Sequence, residues 1–125
     1  MIRIVGIQRS HFPQDEFVLL QNQGAIRLAL RGHLLMTEEA IGRLSEKAAV
    51  HSFSDEAYIP AGAYVILKSG YGDPRWARTK DGALIYYAFA GREERLWPET
   101  SGPLHILNTQ HSYVERVRSV AMASV

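Results

Sequence analysis

Histidines are the residues of this chain best suited to metal binding or proton transfer, and their spacing forms no local motif. They are His11, His33, His51, His105 and His111. No pair has the HxH, HxxxH or His-Glu-x-x-His spacing that presents two ligands from one strand or helix. His33, His51 and His105 form a site only if the fold brings them together; the alternative is that they are surface or hydrogen-bonded histidines. Because the chain has no cysteine, thiolate metal sites and disulfides are excluded.

The other reactive residue types also lack a catalytic pattern. Serines occur without a Gly-x-Ser-x-Gly elbow. Gly70-Tyr71-Gly72 lacks the third glycine and the βαβ setting of a nucleotide fingerprint, so it predicts a tight loop. The adjacent acids Asp15 and Glu16 point to opposite faces if they lie on a strand, as do Glu93 and Glu94, which disfavours shared acid–base work. We therefore predict a non-enzymatic protein with no cofactor, no metal and no catalytic residue.

One segment, residues 71–80, combines the residue types that binding surfaces favour. Its candidate interaction residues are Tyr71, Arg75, Trp76, Arg78 and Lys80. Aromatic side chains and arginines are enriched at the energetic centres of protein interfaces, and they also stack on bases and pair with phosphates. The alternative is that Trp76 folds back onto the domain while the cations are solvated. The segment is predicted to be a polar, glycine-containing loop, part of the stretch from residue 69 to residue 82.

Length and charge limit the class of protein. A chain of 125 residues is long enough for one domain with one hydrophobic core. Its net charge is +1 and its pI is about 8.1, whereas nucleic-acid-binding domains usually combine a pI above about 9 with a basic stripe. No apolar stretch has the length of a signal peptide core or a membrane span. These features predict a cytoplasmic protein without a membrane partner.

Short apolar runs separated by turn residues predict the elements that position these side chains. Residues 16–22 contain the run Phe-Val-Leu-Leu, residues 26–30 alternate between apolar and other residues, and residues 63–68 form a second dense run. About seven or more such strands are typical of an antiparallel sandwich or barrel. We predict an all-β, antiparallel β-sandwich in which the runs at 16–22 and 63–68 lie centrally. It forms a single domain over residues 1–125, with a core at about 2–117 and a frayed tail at 118–125.

One short helix is expected to be inserted at about residues 37–48. Thr37 is a suitable N-cap, Glu38 and Glu39 favour the first turn of a helix, and Lys47 favours the last. The apolar stripe of this helix consists of Ile41, Leu44 and Ala48.

Glu16 and Trp97 are predicted to be structural. An acid that opens a sandwich strand usually pairs with a cation or caps a loop, because a buried charge needs a local partner. Trp97 lies beside Leu96 and Pro98 and is expected to pack in the core or at its edge.

Four motifs, in this order, make the chain resemble the lamin tail domain family. They are Glu-Phe-Val-Leu-Leu-Gln-Asn-Gln-Gly at residues 16–24, Leu-x-Leu-x-Gly-x-Leu at 28–34, Phe53, and Ile-Pro-Ala-Gly-x-Tyr-Val-Ile at 59–66. The resemblance covers about residues 2–117 and implies an immunoglobulin-like β-sandwich without enzymatic activity, in contact with protein or nucleic acid. Two departures are Leu19, where the family often has a second Glu, and His33, where it often has Trp.

Three classes of function follow from these observations. The first is a non-catalytic protein-interaction or self-assembling module, with residues 83–90 or 112–117 as exposed edge strands through which a homodimer can form. The second is a nucleic-acid-binding module that uses the basic and aromatic segment at 71–80, together with Arg116 and Arg118. The third is a small-ligand binder or enzyme, which requires histidines or acids to meet in a pocket.

Overall fold

The computed structural model describes residues 1–41 and 49–109, and in these residues the chain is built almost entirely from β-strands. It forms ten strands and two short 3₁₀ turns, and no α-helix occurs in the described residues. The strands are β1 (Ile2–Gln8), β2 (Phe17–Asn22), β3 (Leu28–Ala29), β4 (His33–Thr37), β5 (Val50–Ser52), β6 (Tyr58–Ile59), β7 (Tyr64–Lys68), β8 (Arg75–Arg78), β9 (Leu84–Phe89) and β10 (Leu104–Asn108). The prediction of an all-β fold is confirmed.

The strands form three sheets in a sandwich-like arrangement. The largest has five strands in the order β1-β2-β7-β9-β8, the second has the order β10-β4-β5, and β3 pairs with β6. All pairs are antiparallel except β7 with β9, which is parallel. The predicted runs at residues 16–22 and 63–68 correspond to β2 and β7, and both lie inside the five-stranded sheet.

The core is formed by alternate residues of the strands. Val18 and Leu20 of β2 are fully buried, as are Val65 and Leu67 of β7, because every second side chain of a strand points to the same face. Leu35 from the three-stranded sheet and Ile59 from β6 belong to the same cluster. Burying one such side chain contributes about 1.5–3 kcal/mol. Trp97 is the largest fully buried side chain, which confirms its predicted packing role.

The predicted helix at residues 37–48 is wrong where the structure describes it. Thr37 is the last residue of β4, and Glu38–Ala40 form a single 3₁₀ turn that ends at Ile41. The hydroxyl of Thr37 does not cap a helix; Thr37 Oγ1 accepts a hydrogen bond from Ala49 N at 3.0 Å, and Thr37 N donates to Ala49 O at 3.0 Å. This pairing closes the base of the connection to β5. The rest of the predicted helix, residues 42–48, lies outside the described residues.

Two further predictions are corrected by the sheet order. Residues 75–78 are an edge strand and not part of a loop, because β8 pairs with β9 from Arg75↔Tyr87 to Arg78↔Leu84. Residues 83–90, which contain β9, are not an exposed edge, since β9 lies between β7 and β8. The other predicted edge strand, at 112–117, and the frayed tail lie outside the described residues. Within the described part of the chain, no helix is long and apolar enough to span a membrane.

Candidate interaction surface

The five predicted interaction residues lie on or beside the β8–β9 hairpin. Arg75, Trp76 and Arg78 belong to β8, and all three are exposed. Lys80 lies in the turn between the two strands, and Tyr71, with an exposed fraction of 70%, lies in the segment that leads into β8.

The structure places these side chains in different surroundings. The Arg75 guanidinium lies over the Tyr87 ring, 4.3 Å from its centroid, which is a cation–π geometry. Trp76 packs against Tyr86 with ring centroids 5.0 Å apart, yet it remains 42% exposed. Arg78 NH1 donates to Gly82 O at 3.0 Å within the hairpin.

Alternation along β8 separates the predicted residues into two groups. Trp76 is opposite Tyr86, which is buried and points towards the core, whereas Arg75 is opposite Tyr87 on the other side of the sheet. Tyr71 lies beside Gly91, at the opposite end of β9 from Lys80. Of the five predicted interaction residues, therefore, only Arg75 lies on the side of the sheet that faces away from the core.

That side of the five-stranded sheet, which we call the outer face, carries a set of apolar side chains that are adjacent across the strands. Strand register places Leu19, Ile66 and Tyr87 in one row. Phe17 and Phe89 flank Lys68 in a second row, and Tyr64 pairs with Ile85 in a third. The seven apolar residues of the outer face are Phe17, Leu19, Tyr64, Ile66, Ile85, Tyr87 and Phe89.

The outer face is separate from the core and retains solvent exposure. All seven of its apolar residues are half-buried, and none belongs to the core cluster or to the residues packed against it. One end is partly covered, because a side chain at Gly72 would overlap the Phe89 ring. The Gly70-Tyr71-Gly72 segment therefore packs tightly against the end of β9, as expected of a tight loop.

Cations surround the outer face, and acids are missing from its strands. The five strands contain four basic residues, Arg3, Lys68, Arg75 and Arg78, and no Asp or Glu. Register places Arg3 in the row of Tyr64, while Arg75 flanks Tyr87. This local excess is invisible in the net charge of +1 because acids elsewhere in the chain balance it.

The residues of the outer face, Arg75 apart, were not among the predicted site residues, although the sequence contains a signal for them. In an antiparallel sandwich with two layers, strands usually alternate apolar and polar residues, since one face meets water. β2, β7 and β9 instead carry nearly continuous apolar runs, which is typical of strands that are covered on both faces. The runs of β2 and β7 are predicted to lie centrally and the run of β9 at an exposed edge, whereas the structure buries one face of each strand and leaves the other half-buried.

Comparison with known proteins gives no further guide to the role of this surface. The chain matches no protein-family model and no curated protein. The resemblance to the lamin tail domain family, and the immunoglobulin-like assignment it implies, therefore stay predictions. A sandwich-like fold is compatible with many activities, so function must be inferred from the surfaces themselves.

Glu16 has the structural role that the sequence suggested. Its side chain is fully buried, and Oε1 accepts hydrogen bonds from Ser69 Oγ at 2.7 Å, Leu96 N at 2.7 Å and Trp97 N at 3.0 Å. Arg95 Nε lies 3.8 Å from Oε2 and supplies the counter-charge. The carboxylate thereby fixes the end of β7 and the segment at 95–97 to the start of β2.

The histidines that were considered for a metal site lie on both sides of the three-stranded sheet. His51 is opposite Leu35, on the core side, and His33 is buried on that same side of β4. His105 is opposite Met36 on the other side, where its Nε2 lies 2.8 Å from Glu38 Oε2. Within residues 1–41 and 49–109, no group of three or more His, Asp or Glu side chains is placed to hold a metal ion.

Burial shifts the pKa of three groups near the core. It lowers the pKa of His33, an effect partly opposed by the Leu30 carbonyl, which lies 3.0 Å from Nδ1. It also lowers the pKa of His51; Asp55 opposes this shift and Arg92 adds to it. Burial, with a 2.8 Å hydrogen bond to Asp55, raises the pKa of Tyr86 to about 12. The lowered pKa of each imidazole favours its uncharged form, as suits side chains that face a core.

Proposed function

We propose that this chain is a non-catalytic protein-interaction module whose working surface is the outer face of the five-stranded sheet. One observation carries the proposal: three adjacent strands are apolar on both faces, while only one of these faces contributes to the core cluster of the described residues. Contiguous apolar patches on a protein surface commonly mark the sites where partners bind. The partner would cover the outer face.

The charges at the border of the outer face indicate the kind of partner. Arg3, Lys68 and Arg75 border the outer face, and its strands contain no acid, so two copies stacked face to face would oppose cation to cation. Residues 110–125 of the chain itself contain two arginines, Arg116 and Arg118, and one acid, Glu115. Their charge therefore does not complement the outer face either. A different protein with an apolar centre and an acidic rim is complementary.

Self-assembly through an edge strand is the other form of this proposal. β8 ends the five-stranded sheet on the side opposite β1 and has exposed side chains, so it is one edge at which a second copy can pair. Charged side chains on an edge strand oppose such pairing, and β8 carries Arg75 and Arg78. This favours a different partner over a second copy. A chain without cysteine suits a reducing compartment, and we infer a cytoplasmic location.

Single-stranded nucleic acid is a second candidate ligand. Four aromatic rings lie on the outer face, and Arg75 already stacks on one of them. Rings on a sheet with nearby cations can stack bases and contact phosphates. Three aliphatic residues share the face and only three cations border it, so we rank this candidate second.

A peptide-display selection tests the proposal. The full chain is immobilised and exposed to a random peptide library, and the peptides selected are synthesised and titrated against Ile66→Asp and against Val50→Asp. Val50, which is 42% exposed and lies on the three-stranded sheet, serves as the matched control. We expect peptides rich in apolar and acidic residues whose Kd rises about tenfold or more with Ile66→Asp and is unchanged with Val50→Asp.

Four outcomes would overturn the proposal or redirect it. Selected peptides that bind both variants equally, or no selected peptide, would remove the outer face as a protein-binding surface. Tight binding of a labelled oligothymidine, weakening steeply with salt and lost in Ile66→Asp, would replace the protein partner by nucleic acid. A dimer in sedimentation that Trp76→Glu dissociates would replace it by self-assembly at β8.

A further inference from the structure

The shape of the outer face indicates the kind of element that covers it. Resting on the proposed function, we infer that the partner docks an acidic amphipathic α-helix along strands β2, β7 and β9. The inference is drawn from the width of the apolar patch, its length, and the positions of the cations around it.

The width of the patch matches one helix. Its apolar side chains come from three neighbouring strands, and adjacent strands lie about 4.8 Å apart, so the patch is about 10 Å wide between β2 and β9. A helix with its side chains is about 10–12 Å in diameter. Along β7 the patch runs from Tyr64 to Lys68, about 14 Å, which corresponds to roughly nine helical residues.

The strands on either side end the apolar patch. On β1 the residues opposite β2 on this face are Arg3, Gly6 and Gln8. Val5, which is 41% exposed, is the unpaired residue of a bulge between Ile4 and Gly6. On β8 the residues on this face are Arg75 and the small Ala77. A second sheet stacked on this face would extend over those positions, whereas a helix above β7 would not.

The cations specify the polar sides of the helix. Arg3 lies beyond one side of the patch, and on the other side the Arg75 guanidinium lies over the Tyr87 ring, so a helix above β7 would meet a guanidinium on each flank. Acidic residues on both flanks of its apolar stripe satisfy this arrangement. Lys68 lies at one end of the patch, between Phe17 and Phe89, where its Nζ donates a hydrogen bond to Gln14 O at 3.4 Å. Its positive charge at this end favours the negative end of the helix dipole, which is the C-terminus.

Three synthetic peptides test the inference on the full chain. The first has leucines at helical spacing flanked by glutamates, and the second has the same composition with the leucines at every second position. The third keeps the helical spacing with lysines in place of glutamates. We expect only the first to bind, with a gain in helical circular dichroism on binding.

Charge reversal supplies the matched variants. Arg75→Glu is expected to weaken binding of the glutamate peptide at least fivefold and to permit binding of the lysine peptide. Arg31→Glu, which changes an exposed arginine away from the five-stranded sheet, is expected to change neither.

Failure of the inference and failure of the proposed function are distinguishable. If the second peptide binds as well as the first and loses its affinity in Ile66→Asp, the outer face binds protein but not as a helix, and the inference is overturned. Binding of the first peptide that is indifferent to Arg75→Glu also overturns it. If display selection yields no peptide sensitive to Ile66→Asp, the proposed function fails and the inference fails with it.

Discussion

At the scale of single residues, Glu16 shows how a buried charge is used for structure. Its carboxylate is fully buried, yet three hydrogen bonds converge on Oε1, and two of them come from the backbone of residues 96 and 97. Hydrogen bonds to an ionised acceptor are about twice as strong as those between neutral groups. The residue therefore joins three parts of the chain that are distant in sequence, which is a role in stability and not in catalysis.

Removing this carboxylate is expected to destabilise the fold strongly. Glu16→Ala leaves the amides of Leu96 and Trp97 without an acceptor, so we expect the free energy of unfolding to fall by about 3–5 kcal/mol. Glu16→Gln keeps one acceptor oxygen and should cost about half as much. Urea denaturation measures both. Glu56→Ala is the control, because Glu56 forms an exposed ion pair with Arg31, and it should change the free energy of unfolding by less than about 1 kcal/mol. An equal effect of Glu16→Ala and Glu56→Ala would contradict the structural role assigned to Glu16.

At the scale of elements, the same residue types have different roles according to the element that contains them. Thr37 has the sequence context of a helix cap, but it ends β4, and its buried side chain pairs with Ala49 across the connection to β5. Likewise Arg75 and Trp76 have the composition of a loop-borne binding motif but point to opposite faces of an edge strand. Pairing with a neighbouring strand decided both cases.

The Thr37–Ala49 pairing can be tested with an isosteric change. In Thr37→Val the Ala49 amide loses its side-chain acceptor at a fully buried residue, and we expect a loss of about 1–2 kcal/mol in the free energy of unfolding. Thr79→Val is the matched control, because Thr79 Oγ1 also accepts a backbone N–H at 3.0 Å, from Ala83, but in an exposed turn. Chemical denaturation of both variants should show a loss of less than about 0.5 kcal/mol for Thr79→Val. Equal losses would mean that the Thr37 site is open to water.

At the scale of the whole molecule, the sandwich leaves one of its own faces apolar. β2, β7 and β9 contribute alternate residues to the core, and the residues between them form the outer face. The seven apolar residues of the outer face are half-buried, and cations border them. The surface proposed for binding is thus a consequence of the same strands that build the core.

Two neighbouring residues of β7 distinguish the core from the outer face. Val65→Ala is expected to lower the free energy of unfolding by about 2 kcal/mol, because Val65 is fully buried. Ile66→Ser, on the half-buried outer face, should cost less than about 1 kcal/mol. Thermal and urea unfolding of the purified chain measure both. A cost for Ile66→Ser as large as that for Val65→Ala would show that the outer face is already covered in the free protein.

The sequence alone determined the fold class, the positions of β2 and β7 and the structural role of Glu16. Those features depend on local patterns: a run of β-prone residues between turn residues, and a charge that needs a partner wherever it is buried. Only the tertiary structure decided that Thr37 ends a strand, that residues 75–78 pair with β9, and that one face of the apolar strands is left over. These outcomes depend on which strands lie side by side, and that pairing joins residues far apart in the chain, which no local pattern encodes.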